Sequence, residues 1–387
     1  MKRTKDFFRN LLCGARLRLR RQTYLSIRFR SSPQPRVARD SFEKSLMLQT
    51  LAIVTFAAFA PAANAAKAIQ AAPFVTHAQF ARSLYAEHFA PLASEFNEAA
   101  TRLRDATQTL CEQPNASLLR EARVAWGNSM LAWERLNAVS LGPLIERRSA
   151  RMIDFQPTRP AMIEAAAQRS AQESPALDAI GAPAKGFPAL EWLFWSDKRN
   201  PPVIAKSAYC AYGRALAGSV VQEAQALHQD IQVLAAKNWE EDQDAARETQ
   251  VEFLNQAVAG LEQLRLKKMD KPARTQKASE FPRSLSDATV QAWRAQFDSI
   301  QDALLGKTES DSSSLDAFLR GRGLLSISAT LQNSVARARS AFGPTLKPTP
   351  AATKHASKSI GAITRVLQED VAPAIKISIG FSDSDGD

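Results

Sequence analysis

The chain has 387 residues, and its 50 Lys and Arg against 39 Asp and Glu give a formal net charge of +11. Residues 1–46 hold thirteen basic and three acidic residues, so +10 of this charge lies there and residues 66–387 are close to neutral. Binding to nucleic acid needs a clustered excess of cations on the folded part, so we expect no nucleic-acid partner.

The first 65 residues predict an export leader with a signal peptide. Residues 47–60 form an uncharged apolar run that is short for a bilayer span. Ala63-Asn64-Ala65 follows, and small residues at this spacing are typical of a cleavage site, so we expect cleavage before Ala66. The basic arm is long for such a leader, which favours a true start at Met47 or nearby over a retained arm. An uncleaved anchor is the alternative, and no transmembrane segment is expected in the mature chain.

Cysteine usage is consistent with export. Cys13 lies in the leader, so the mature chain keeps Cys111 and Cys210 alone. Two cysteines in an oxidising compartment commonly pair. We predict one disulfide between an early and a later helix, with two buried free thiols as the alternative.

Apolar residues recur at helical spacing through most of the mature chain, and strand patterns are scarce. Helices are predicted over 76–110, 117–141, 160–172, 176–181, from Pro188, and over 203–235, 240–266, 285–305, 313–320, 323–342 and 355–372. Gly142-Pro143 is expected to end the second helix. Lys267–Arg283 is predicted to be a polar linker.

This pattern predicts an all-α fold, because each amphipathic helix has to bury its apolar stripe against others. Short connections between helices favour antiparallel bundles. The breaks divide the chain into an N-terminal bundle over 66–236 and a C-terminal bundle over 237–387. Trp126 and Trp293 occupy similar places in two helices, which is a weak sign that the bundles are related.

The segment Gly186–Trp195 places one carboxylate, Glu191, directly before three aromatic residues. One interpretation is a residue near a helix start, where the helix dipole favours an anion by about 0.3–1 kcal/mol. The other is that the aromatic residues bury Glu191, which then needs a cation or a metal as its partner.

This segment resembles the imelysin-like family, which is marked by Gly-x-His-x-x-Glu. The chain has Gly186, Pro188 and Glu191 at those positions, so it looks closest to a branch with proline in place of the histidine. Further similar segments are Trp126 and Trp133 running into Gly142-Pro143, the stretch 153–160, Cys210-Ala211-Tyr212, Trp293-Arg294 and the chain end at 379–387. The resemblance implies two related all-α bundles, a place in the periplasm or cell envelope, a peptidase label and an association with iron uptake.

The residues themselves argue against catalysis. A zinc peptidase needs about three protein ligands and a bound water. Pro188 has no donor atom, and the four histidines, His77, His88, His228 and His355, are scattered. No Gly-x-Ser-x-Gly elbow or phosphate-binding glycine loop occurs. The acidic end 383–387 resembles the opening of a calcium loop but stops before the closing glutamate, so it is either a solvated tail or a weak cation site.

Three functions follow as hypotheses. The first is a non-catalytic envelope protein that binds a ligand, metal or partner between the bundles in iron or other metal acquisition. The second is a metallopeptidase-like hydrolase, and the third is a structural module without a small-ligand site. No cofactor is identified, and a weakly bound metal ion, with Glu191 as its ligand, is the one candidate. Partners would be other envelope proteins of a metal-uptake system. The candidate ligand-binding residues are Gly186, Pro188, Glu191, Trp192, Trp195, Asp154, Arg159 and Arg294.

Overall fold

The computed structural model describes residues 69–170, 177–196, 200, 204, 206–307, 314–344 and 346–380. The contacts divide the chain into Met1–Asn64 and Ala65–Asp387, and every described residue belongs to the second unit. The predicted signal peptide, the alternative start at Met47 and the acidic end 383–387 lie outside the described residues.

The described residues are largely helical and include no strand, which confirms the all-α fold class. In chain order the α-helices are α1 (His77–Ser83), α2 (Ala90–Glu112), α3 (Ala116–Leu136), α4 (Pro143–Glu146), α5 (Ser149–Ile153), α6 (Pro160–Arg169), α7 (Gly186–Trp195), α8 (Ser207–Ala236), α9 (Gln243–Glu262), α10 (Lys271–Thr275), α11 (Thr289–Leu305), α12 (Leu315–Gly321), α13 (Leu325–Ala341), α14 (Pro350–Arg365) and α15 (Ala372–Ala374). The π-helical segments Leu84–Phe89, Gln263–Asp270 and Val366–Val371 join α1 to α2, α9 to α10 and α14 to α15. Short 3-10 turns lie at Leu177–Ala179, Ala182–Ala184, Trp239–Glu241 and Ala278–Glu280.

Several helices begin at side chains that accept hydrogen bonds from otherwise unpaired backbone N–H groups. Thr76 and Gln79 form a reciprocal capping box at α1. Asn115 caps α3, Asp242 caps α9 and Ser314 caps α12 in the same way. These starts are therefore set by local sequence.

Several predicted helix bounds are wrong, including the start of α14, which lies at Pro350 instead of 355. α3 ends at Leu136 instead of 141, and Gly142-Pro143 opens α4 instead of stopping α3. The chain after Leu136 packs closely on α9: a Cβ at Gly260 would lie 2.1 Å from the carbonyl oxygen of Ala138, so only glycine permits this approach. The helix predicted from Pro188 begins two residues earlier, at Gly186.

The prediction that Lys267–Arg283 forms a polar linker is also wrong. It contains part of the π-helical segment, α10 and a 3-10 turn. It also delivers two cations to the interior, since the side chain of Arg283 is 1% exposed and that of Lys268 is 14% exposed. Charged side chains are rarely buried unless they are paired, so this segment needs carboxylate partners.

Helices from both sides of residue 236 pack on one another. α1 contacts α9, and α3 contacts α11. Phe80 of α1 packs edge-on against Phe253 of α9 and Phe318 of α12, with ring centroids 5.3 and 5.6 Å apart. Trp126 and Trp293 are both buried. The division into two related bundles at residue 236 stays a prediction.

Cys111 at the end of α2 and Cys210 near the start of α8 form a disulfide, with their Cα atoms 5.6 Å apart. The predicted pairing of an early with a later helix is therefore confirmed. Among the described residues, none of the helices is both long and apolar enough to cross a membrane.

Candidate functional site

Helix α7, which carries Glu191, is held in place at both ends. Gly186 has a φ of +60°, and a Cβ there would lie 1.9 Å from the carbonyl oxygen of Ile153, so α7 starts directly against the end of α5. Trp126 of α3 donates to the carbonyl of Phe187 at 3.1 Å. At the other end Arg123 donates through Nε and Nη2 to the carbonyl of Phe194, at 2.9 and 2.6 Å.

Glu191 is the sixth residue of α7, and the first turn of this helix contains no acidic residue. The interpretation of Glu191 as a helix-start residue stabilised by the dipole is therefore wrong, because that effect fades beyond the first turn. The residue is 3% exposed. Its Oε1 accepts hydrogen bonds from the backbone N–H of Ser286 at 2.9 Å and from the Ser286 hydroxyl at 2.6 Å.

The cation whose charge acts on Glu191 is Arg283, from the loop before α11. Arg283 Nη2 donates to Asp154 Oδ1 at 2.6 Å and to Glu134 Oε1 at 3.2 Å. Glu134 Oε2 accepts from Lys268, and Asp154 Oδ2 accepts from the indole N–H of Trp133 at 2.9 Å. We call Glu134, Asp154, Glu191, Lys268 and Arg283 the buried charge cluster.

The buried charge cluster shifts the protonation of its members. Burial raises the pKa of Glu191 above its ordinary value, although Arg283 and the hydrogen bonds from Ser286 act in the opposite direction. Burial also acts to raise the pKa of Glu134, but Lys268 and Arg283 outweigh it and hold that pKa below the usual range. Desolvation works against the charged form of Arg283, yet the carboxylates of Asp154, Glu134 and Glu191 raise its pKa. Arg283 therefore keeps its charge in the interior.

The loop over 281–288 fixes the position of Arg283. Phe281 packs edge-on against Trp293 of α11, with the ring centroids 5.6 Å apart. Thr289 donates its hydroxyl to the carbonyl of Pro282 at 2.8 Å. The backbone N–H of Ala288 donates to the carbonyl of Arg283 at 3.0 Å. The guanidinium carbon lies 5.9 Å from the ring centroids of both Trp126 and Phe187, within the range of a cation–π contact.

The remaining predicted site residues are spread over other contacts. Trp192 donates its indole N–H to Glu164 at 2.7 Å, and Trp195 packs edge-on against Trp126 with centroids 5.0 Å apart. Pro188 is buried in the first turn of α7. Arg159 is exposed at the start of α6.

Arg294 donates to the carbonyls of Phe342 and Gly343, at 3.0 and 2.6 Å, where α13 ends. Of the predicted polar companions of Glu191, Asp154 binds Arg283, whose charge also acts on Glu191. Arg294 lies instead at a helix end. Whether any predicted site residue binds a ligand stays a prediction.

Sequence reasoning missed four residues of this region: Glu134, Lys268, Arg283 and Ser286. One signal was present, since an aromatic-flanked carboxylate such as Glu191 requires a cation. The segment 267–283 is rich in Lys and Arg. Nothing in the spacing distinguishes Arg283 from its neighbours, because it lies 129 positions from Asp154 and 149 from Glu134.

Comparison with known proteins shows to which family the chain belongs. The family model Peptidase_M75, described as Imelysin, matches residues 90–368. The chain belongs to the imelysin family. No curated protein matches the chain.

Solved imelysin-like structures share its fold. An imelysin-like protein from Psychrobacter arcticum superimposes with a TM-score of 0.63 at 16% identity, covering 81% of this chain and 100% of that protein. A putative iron-regulated protein A precursor from Parabacteroides distasonis gives a TM-score of 0.62 at 13% identity, covering 77% of this chain and 96% of that one. At these identities the likeness concerns the fold alone.

The peptidase label of the imelysin family implies a metal, and the residues of this chain around Glu191 do not fit one. Pro188 contributes no donor atom, and the described residues contain no group of three or more His, Cys, Asp or Glu side chains that could hold a metal ion. The carboxylates of Asp154 and Glu134 are instead bound to the guanidinium of Arg283. The side chains on which a metal would depend are thus already paired with a cation of the chain.

Proposed function

We propose that this chain is an exported imelysin-family protein of the cell envelope that acts by binding, without catalysis, in the acquisition of iron or another metal. The association with iron rests on the name of the Parabacteroides distasonis relative and on the family resemblance of the Glu191 segment. Its expected partners are other envelope proteins of a metal-uptake system.

Two observations support export. The leader over 1–65 has the apolar run and the small residues of a signal peptide, with cleavage proposed before Ala66. The disulfide between Cys111 and Cys210 fits an oxidising compartment such as the periplasm, because disulfides are rare in the reducing cytosol.

The non-catalytic part of the proposal rests on the burial and the partners of Glu191, the carboxylate of the family motif. Glu191 accepts two hydrogen bonds from Ser286 and faces Arg283, and it is 3% exposed. A general base has to reach the proton that it removes from a substrate or water. A carboxylate with this burial and these partners is suited to fixing α7 against the 281–288 loop.

Export is tested by fractionation of cells that express the full chain with a C-terminal tag. We expect the protein in the periplasmic or envelope fraction, with an N-terminus at Ala66 by Edman sequencing or mass spectrometry. Recovery of the uncleaved chain from the cytosol would contradict export. A shorter chain that starts at Met47 serves as the control, since equal export of both chains supports the later start.

Binding without catalysis is tested on the purified processed protein. Calorimetric titration with ferrous, ferric, zinc, copper and calcium ions should give heat with iron or another metal. The absence of heat with every ion would contradict a role in metal binding. The same protein should leave casein and a mixed peptide library intact with and without added zinc. Hydrolysis that disappears in Glu191→Ala would instead establish the metallopeptidase-like alternative.

A further inference from the structure

The buried charge cluster draws three carboxylates from α3, the end of α5 and α7, and with Arg283 in place these do not form a group of the described residues that could hold a metal ion. A metal ion bound by carboxylates requires oxygens that converge on one point at about 2.0–2.6 Å. Here Asp154 and Glu134 converge on Nη2 of Arg283, at 2.6 and 3.2 Å, whereas Glu191 acts on the same guanidinium through its charge, without an ion pair.

We propose that Arg283 is the resident cation of this cluster, standing where a carboxylate-bound metal ion would otherwise be held, so that the Glu191 site of this chain is independent of metal. The inference deepens the proposed function and rests on it in one respect: any metal that the protein acquires has to bind elsewhere.

The chemistry of arginine suits this role. Its guanidinium does not lose its proton in proteins, and its Nη2 alone donates to both Asp154 and Glu134. A buried lysine in the same place loses its proton more readily and would then leave the carboxylates uncompensated. The faces of Trp126 and Phe187, each 5.9 Å from the guanidinium carbon, complete the enclosure of the charge.

The backbone around Arg283 is built for this position. Arg283 has a φ of +65°, a conformation that non-glycine residues seldom adopt without compensation. Its carbonyl accepts from the N–H of Ala288 at 3.0 Å and from the hydroxyl of Ser286 at 3.2 Å. Ser286 also binds Glu191, so one loop supplies both the cation and the hydrogen bonds that the carboxylate needs.

The test removes the resident cation with Arg283→Ala. The melting temperature of the wild type should rise from EDTA to Mn²⁺ by no more than that of Glu191→Gln, because any metal that the protein acquires binds elsewhere. That of Arg283→Ala should be lower in EDTA and should rise with the logarithm of the Mn²⁺ concentration, as linkage requires for an ion that binds the folded state. The matched control is Arg320→Ala, which removes an arginine from the single buried carboxylate of Asp316 and should show no rise with Mn²⁺ beyond that of the wild type. A folded Arg283→Ala without a response to Mn²⁺ would overturn the proposal.

A second measurement decides the question if Arg283→Ala does not fold. The processed wild type, Glu191→Gln and Asp154→Asn are titrated with Mn²⁺, Fe²⁺ and Zn²⁺. Binding that is equal in all three proteins supports Arg283 as the cation, and binding by the wild type that both variants lose overturns it. Absence of binding in the wild type counts against the proposed metal acquisition, while it agrees with a metal-independent cluster.

Discussion

Glu191 and Asp316 are both carboxylates with 3% exposure, yet they are compensated in different ways. Asp316 accepts from Arg320 at 2.8 Å, from Ser328 and from Gln332 at 2.9 Å, all within 16 positions of it on α12 and α13. Glu191 accepts from Ser286, 95 positions away, and faces Arg283 of the same loop.

Asp316 is therefore compensated by residues close to it in sequence, whereas Glu191 is compensated by residues far from it in sequence. The Asp316 contacts join two consecutive helices, which are already close in sequence. The Glu191 region instead joins α3, α5 and α7 to a loop that follows α10, so its charges compensate one another only when the tertiary structure is complete. We therefore expect substitutions around Glu191 to cost more folding free energy than matched substitutions around Asp316.

The largest effect is expected from Arg283→Met compared with Arg320→Met. Removal of Arg283 leaves the buried Asp154 and Glu134 without their shared cation, which should lower the free energy of unfolding by about 3–5 kcal/mol. Arg320 is 16% exposed, and Asp316 keeps Ser328 and Gln332 without it, so the loss should be about 1–2 kcal/mol. Urea unfolding of both variants measures the two values, and equal losses would contradict the comparison.

The next effect compares two glycines with positive φ. Gly186 (φ +60°) would place a Cβ 1.9 Å from the carbonyl oxygen of Ile153, whereas Gly323 (φ +74°), between α12 and α13, has nothing within 4 Å. Gly323→Ala should cost only the strain of the left-handed conformation, about 1–2 kcal/mol. Gly186→Ala should cost at least about 2–4 kcal/mol, because α7 has to move away from α5 as well.

Denaturation midpoints of the two glycine variants give the measurement. A Gly186→Ala protein as stable as Gly323→Ala would show that the start of α7 can shift freely. The position of Glu191 against Ser286 would then not depend on a fixed contact between α7 and α5.

Local sequence predicts much of the fold. The capping box of Thr76 and Gln79, the Ala-rich helix α8 and the disulfide between Cys111 and Cys210 depend on short-range signals or on cysteine count. The end of α3 does not, because the chain after Leu136 turns to pack against α9 while its residues stay apolar.

The sequence indicates that Glu191 needs a compensating cation, but it does not indicate which residue supplies that cation. The aromatic residues after Glu191 indicate burial, and burial requires compensation. The compensating Arg283 is brought in by a loop with an unusual backbone, from a segment whose polar composition favours a linker. Tertiary packing decides which basic residue of that segment becomes the partner. The spacing of residues in one sequence does not reveal this packing.

A smaller effect is expected in the pH dependence of stability. The pKa of Glu191 is raised above 4.5, so in the window above that pH the folded state still holds a proton that the unfolded state has lost. This contribution to stability is complete below the unfolded pKa and is lost as the pH rises through the folded pKa. The loss is about 1.4 kcal/mol for each pH unit between the two pKa values. The stability of the wild type relative to Glu191→Gln should therefore fall as the pH is raised from 4.5.

Urea unfolding at a series of pH values checks this expectation. Ser286→Ala sharpens it, because the lost hydroxyl hydrogen bond stabilises the charged carboxylate and its removal should move the window to higher pH. A difference between wild type and Glu191→Gln that does not change with pH would mean that Glu191 titrates alike in the folded and unfolded states.

The smallest effect compares two serines that donate to the two carboxylates. Ser286→Ala and Ser328→Ala each remove one hydroxyl donor, from Glu191 and Asp316 respectively, and each should cost about 1 kcal/mol of global stability. Hydrogen exchange should separate them. The amide of Ala288, bonded to the carbonyl of Arg283 at 3.0 Å, should exchange faster in Ser286→Ala and at the wild-type rate in Ser328→Ala, because the hydroxyl of Ser286, unlike that of Ser328, joins the loop of Arg283 to α7. Equal exchange at Ala288 in both variants would mean that the loop is held by the ion pairs of Arg283 alone.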